Sequence, residues 1–146
     1  CHILEQLRQR FDQRPDDDTL FQAVAGLVAE IRRHGLFNFI LSDGLVMFAH
    51  ASTLLHYIVR QAPFGEARLL DDDVAIDFSA VTTPNDRVAV IATLPLTRDE
   101  SWSQLAMNEL VMFREGKIIL NDRPRNPVYM STEEGLEIAR AAGVSV

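Results

Sequence analysis

The chain is 146 residues long, 47% hydrophobic and 24% charged, which suits one domain large enough to bury a core. A formal net charge of −7 leaves no basic stripe for phosphate contacts and counts against nucleic acid as a partner. No apolar run approaches the roughly 20 residues that span a bilayer and no signal peptide is visible, so no membrane partner is expected.

The single cysteine, Cys1, excludes an intrachain disulfide and a cysteine-based zinc site, which fits a reducing cytoplasm. Residues 1–11 read as a helix, because Leu4, Leu7 and Phe11 recur at helical spacing with Ile3 beside them. Cys1, three residues before Leu4, joins that face. Pro15 and the acidic run Asp16–Asp18 then break the chain. A second helix is signalled by the Thr19…Gln22 capping box and by the stripe Leu20, Val24, Leu27, Val28 and Ile31. Arg32, Arg33 and His34 complement its C-terminal dipole, and Gly35 is placed as the residue just beyond its cap.

After Gly35 the pattern turns extended. Residues 36–41 and 45–51 flank Ser42-Asp43-Gly44 and read as a hairpin, since Asp-Gly favours the tight turns that match strand twist. Both strands are apolar on each face apart from Asn38, so a sheet covered on both sides is expected. Further strands are expected at 55–61, 67–70, 74–78 and 87–96, and a second hairpin at 108–113 and 117–120 about Arg114-Glu115-Gly116. Residues 121–146 form a tail in which Ser131 and Glu134 cap a short helix. Two helices followed by mostly antiparallel strands define an α+β domain.

Few residues suggest chemistry. Asp16–Asp18 and Asp71–Asp73 carry oxygen ligands but lack the spacing and central glycine of a calcium loop, and solvated turns explain them better. His50 and His56 flank a turn, yet two imidazoles without a third ligand do not make a metal site. Ser42-Asp43-Gly44 lacks the nucleophile-elbow glycines, and no phosphate-cradling loop occurs, so no cofactor and no metal are expected. Trp102, Met107 and Met112 could line an apolar pocket but read more simply as core. Cys1 could be an N-terminal nucleophile, which would open a β-strand; the period near 3.6 after it instead favours a buried structural thiol.

The blocks FN-x-x-LSDG, APFG and TTPND-x-V-x-VIAT-x-PLT, followed by NELVMFREGKII, resemble the C-terminal half of small stand-alone class II glutamine amidotransferases of the Ntn-hydrolase superfamily. The resemblance runs from Cys1 to about Ile119. It implies an αββα sandwich, of which residues 1–120 would be the C-terminal portion, with 121–146 as a tail. It also implies a cysteine that attacks the side-chain amide of glutamine, or of a related γ-glutamyl compound, and releases ammonia. The family's nucleophile, glutamine-clamping arginine, Asn-Gly oxyanion hole and substrate-binding aspartate all belong to an N-terminal half. No catalytic residue is therefore expected here, and the missing half becomes the expected partner. The lack of an initiator Met and the start within an amphipathic pattern fit a piece of a longer protein. Two alternatives remain at this point: a complete Ntn hydrolase using Cys1, and a non-catalytic interaction module.

Overall fold

The computed structural model describes residues 2–63, 66–68, 75–77, 83–125, 132–141 and 143. Cys1, the Asp71–Asp73 triplet and Ser131 lie outside them. The chain divides into two units, Cys1–Phe37 with Pro124–Val146, and Asn38–Arg123.

The first unit is helical. Helix α1 (His2–Arg10) buries Ile3 and half-buries Leu7, while Leu4 is 36% exposed. The inward stripe is therefore rotated by one residue from the expected Leu4 face. In a nine-residue helix both phasings satisfy the period, and the pattern alone does not choose. Helix α2 (Asp17–Ile31) buries Leu20, Phe21, Ala23, Val24, Leu27 and Val28, and packs against α1. Its N-cap is Asp16, not Thr19. The Asp16 Oδ1 accepts the Thr19 backbone N–H at 2.9 Å, and Oδ2 accepts the Thr19 hydroxyl at 2.8 Å. These bonds, the Thr19 backbone N–H first, hold the Asp16 carboxyl below its ordinary pKa. The acidic run, expected as a solvated break between the helices, thus starts the second one, with Asp17 and Asp18 in its first turn meeting the positive end of the helix dipole. At the other end Arg32 is the C-cap. The chain closes by short-range bonds from Arg33 N to Glu30 O and from His34 N to Ile31 O, so Gly35 lies beyond the cap motif. Helix α3 (Thr132–Ala141) forms as expected, with Glu133 and Glu134 in its first turn and Arg140 in its last.

The second unit holds the strands β1 (Asn38–Ser42), β2 (Met47–Ala51), β3 (His56–Gln61), β4 (Glu66–Arg68), β5 (Ala75–Asp77), β6 (Arg87–Ala92), β7 (Ser103–Gln104), β8 (Glu109–Arg114) and β9 (Lys117–Asp122). Every pairing is antiparallel. One sheet runs β1-β2-β8-β9, a second β6-β3-β7, and β4 pairs with β5 in a small ribbon. Strand β7 was not expected, since Ser-Gln carries neither apolar alternation nor β-branching.

Pleating explains what lies between the two larger sheets. Ala49, Ala51, Val111 and Phe113 of the first sheet join Leu55 and Leu105 in a buried cluster, with Met47, Tyr57, Ala89 and Ile91 packed against it. The Tyr57 and Phe113 rings meet edge to face, their centroids 5.7 Å apart. The alternate residues of β2 and β8, namely Phe48, His50, Leu110 and Met112, are also fully buried, so these two strands are covered on both faces as their sequence demands. Strand β1 departs from that expectation: Asn38, Ile40 and Ser42 are exposed.

Two turns set the hairpins. In the first, Asp43 Oδ1 accepts the N–H groups of Leu45 and Val46, each at 2.9 Å, and Ser42 Oγ donates to Val46 O at 2.8 Å. In the second, Glu115 and Gly116 have φ of 49° and 70°, the left-handed pair of a two-residue hairpin loop. Glu115 occupies this conformation at a cost that asparagine largely avoids. Glu115→Asn is expected to raise the unfolding free energy by about 0.5–1 kcal/mol in a denaturant titration.

Candidate functional site

A cleft of about 290 Å³ opens at the end of the strand unit where the two hairpin turns approach the start of β6. Ser42, Gly44, Met47, Arg87, Glu115 and Gly116 are among its lining residues. Its walls are held close by Gly116: a Cβ there would stand 2.7 Å from Arg87 Cγ and 3.0 Å from the Arg87 carbonyl carbon and oxygen. Arg87 Nη2 donates to Gln61 Oε1 at 2.7 Å, which turns its guanidinium toward the neighbouring strand β3. The Ser42 and Asp43 side chains are engaged in closing their own turn. The geometry builds a recess, but it presents no nucleophile–base pair to a substrate.

Two polar networks brace the same unit. Arg60 Nε donates to Glu100 Oε1 at 2.7 Å while its Nη2 donates to Oε2, a two-pronged pair. Thr97 Oγ1 donates to Glu100 Oε2 at 2.6 Å and accepts the Trp102 indole N–H at 2.9 Å. The Arg60 hydrogen bond is the largest influence on the Glu100 carboxyl and holds it below its ordinary range against burial, the next largest, with a lesser contribution from the Thr97 hydroxyl. This network ties the connection from β6 to β7 onto the C-terminal end of β3 at Arg60. In the second network, Asn38 Oδ1 accepts the N–H groups of Ser52 and Thr53 at 2.9 and 3.1 Å. Its amide nitrogen donates to Thr53 Oγ1 and Leu54 O. Neither network follows from local sequence spacing, since Arg60 and Glu100 are 40 positions apart and Asn38 and Ser52 are 14 apart.

The histidines do not meet. His50 lies on β2 with its side chain on the face opposite the inter-sheet cluster, and His56 lies on β3 in the other sheet. His50 Nδ1 stands 3.1 Å from the Glu109 carbonyl oxygen, which only accepts, so Nδ1 carries the proton and Nε2 accepts from the Ser52 hydroxyl at 3.3 Å. His56 Nδ1 likewise donates to Thr93 O at 3.0 Å. Among the described residues, no group of three or more His, Cys, Asp or Glu side chains could hold a metal ion. The core reading of Trp102, Met107 and Met112 holds for Met112 and fails for Met107. Met112 is fully buried, Met107 is 61% exposed, and Trp102 is directed to Thr97. No helix among the described residues is long and apolar enough to cross a membrane.

Two helices followed in the chain by antiparallel strands make this a mixed α+β protein. Residues 1–136 match the family model described as "Glutamine amidotransferases class-II", and the chain belongs to that family. The match continues past Leu120, where the sequence blocks stop, and reaches into α3. The chain is 47% identical over 121 residues to the Escherichia coli protein named "Putative glutamine amidotransferase YafJ", covering 82% of this chain and 48% of that one. It is 43% identical over 119 residues to a Haemophilus influenzae protein named "Putative glutamine amidotransferase", covering 82% of this chain and 40% of that one. A 2.0 Å crystal structure described as a "predicted glutamine amidotransferase" from Pseudomonas aeruginosa PA01 superposes with a TM-score of 0.72 at 40% identity. That superposition covers 82% of this chain and 47% of the other. The chain thus spans about half the length, or less, of these relatives.

Proposed function

We propose that these residues are the C-terminal portion of a class II glutamine amidotransferase whose glutaminase chemistry resides in a preceding half. The observation that carries this reading is the family match over residues 1–136 in a chain that covers only 40% and 48% of its two named relatives. In the proposed reaction a cysteine thiolate attacks the side-chain amide carbon of glutamine and ammonia departs. Water then hydrolyses the thioester to glutamate. The residues described above do not carry that chemistry. His50 is engaged with a strand carbonyl and a serine, and Asp43 shapes a turn. Their role is to build the sheet framework of an Ntn-hydrolase sandwich against which the catalytic half is placed, with residues 1–120 as domain framework and 121–146 as its tail.

Glutamine, or a related γ-glutamyl amide, is the proposed substrate, and a cytoplasmic location is proposed with it. The test is ammonia release from L-glutamine by the intact gene product and by the 146-residue chain alone. Release by the intact product only is the expected result. Equal release by both, or by neither, contradicts the reading.

A further inference from the structure

Asp43-Gly44 is the only Asp-Gly step in the 146 residues, and no Asn-Gly step occurs. An aspartate followed by glycine is chemically reactive. Because glycine has no side chain and few backbone restrictions, its amide nitrogen can reach the aspartyl Cγ and close a five-membered ring. Glu115-Gly116, in the other hairpin turn, would need a six-membered ring, which closes far more slowly.

The turn between β1 and β2 opposes that closure with its own hydrogen bonds. Asp43 Oδ1 accepts the N–H groups of Leu45 and Val46, each at 2.9 Å, which curls the carboxyl over the main chain that follows it. The Gly44 amide, the attacking group, donates to Ser42 Oγ at 3.1 Å. The same hydroxyl donates to Val46 O at 2.8 Å, so one serine restrains both sides of the reactive step. Packing adds little: a Cβ built on Gly44 would meet no described atom within 4 Å.

We propose that Asp43 is an isoaspartate-forming site, reached through a succinimide when this turn opens and held off while its hydrogen bonds are closed. Gly44 N bonds to Asp43 Cγ, the Cγ–OH bond breaks, and the hydroxyl leaves as water with the amide proton. Water then opens the ring. Attack at Cγ restores aspartate, and attack at the main-chain carbonyl carbon yields isoaspartate. In that product the main chain is one atom longer between Ser42 and Met47, the pair that ends the β1–β2 ladder. Its carboxylate hangs from Cα and no longer accepts from Leu45 and Val46, so the N–H of buried Val46 loses its acceptor. Modification therefore weakens the hairpin that had suppressed it.

The test ages the intact gene product at neutral pH, native and in guanidinium chloride, and measures isoaspartate at residue 43 by peptide mapping with electron-transfer fragmentation. Isoaspartate is expected to form on the order of tenfold or more slowly in the native protein than in the denatured chain. Ser42→Ala is expected to raise the native rate about two- to tenfold, the worth of the lost hydrogen bonds, and to leave the denatured rate unchanged. Equal native and denatured rates in the wild type overturn the proposal. So does a native rate that Ser42→Ala leaves unchanged, and so does a denatured chain that forms no isoaspartate at residue 43.

Discussion

Gly116→Ala is expected to lower the unfolding free energy by about 2–4 kcal/mol, measured by denaturant titration of the intact gene product. Two independent costs combine. The residue has φ of 70°, a left-handed conformation that disfavours any Cβ. In addition, the new Cβ would stand 2.7 Å from Arg87 Cγ and 3.0 Å from Arg87 main-chain atoms, and the main chain cannot swing aside as the end of a side chain can. Gly116 belongs to the β8–β9 turn and Arg87 to β6, so the contact sets how closely the two sheets approach beside the cleft. A loss well under 1 kcal/mol would show that the turn and β6 are not held together in this way.

The second large effect concerns Arg60 and Glu100. Arg60→Ala leaves the partly buried Glu100 carboxylate without its two-pronged partner, and a loss of about 2–4 kcal/mol is expected at neutral pH. The pH dependence has a definite sign. Folding holds the Glu100 carboxyl below its ordinary value of 4.5, chiefly through the Arg60 hydrogen bond. The pair therefore contributes fully above that value, and its contribution is lost as pH falls through the depressed value in the folded protein. The stability difference between wild type and Arg60→Ala should be largest near pH 7 and shrink in acid. A difference that grows in acid would contradict the assigned direction.

The elements that the sequence marks best are those whose signals are local. Arg114-Glu115-Gly116 and Ser42-Asp43-Gly44 announced their hairpins because two or three residues decide a turn. The double-sided burial of β2 followed from the apolar residues on both faces of 45–51. Misreadings came where two local solutions compete. Asp16 stands three residues before Thr19 just as Thr19 stands three before Gln22, and the aspartate is the one that caps. Leu4 and Ile3 both satisfy a helical stripe in α1, and only the packed helix shows that Ile3 is buried. Strand β1 looks like a central strand by composition but is an edge, a distinction that depends on what pairs with it and not on its own residues. The bracing contacts were illegible for another reason: Arg60 and Glu100, or Asn38 and Ser52, meet only after the strands have been ordered.

The framework role proposed for this half of the molecule is tested most directly at Cys1. Affinity labelling of the intact gene product with a glutamine analogue bearing an electrophilic diazoketone, followed by peptide mass mapping, locates the nucleophile directly. The label is expected on a cysteine preceding residue 1, with Cys1 unmodified until the protein is denatured. Labelling of native Cys1, blocked by excess glutamine, would contradict the framework role and make Cys1 the catalytic thiol.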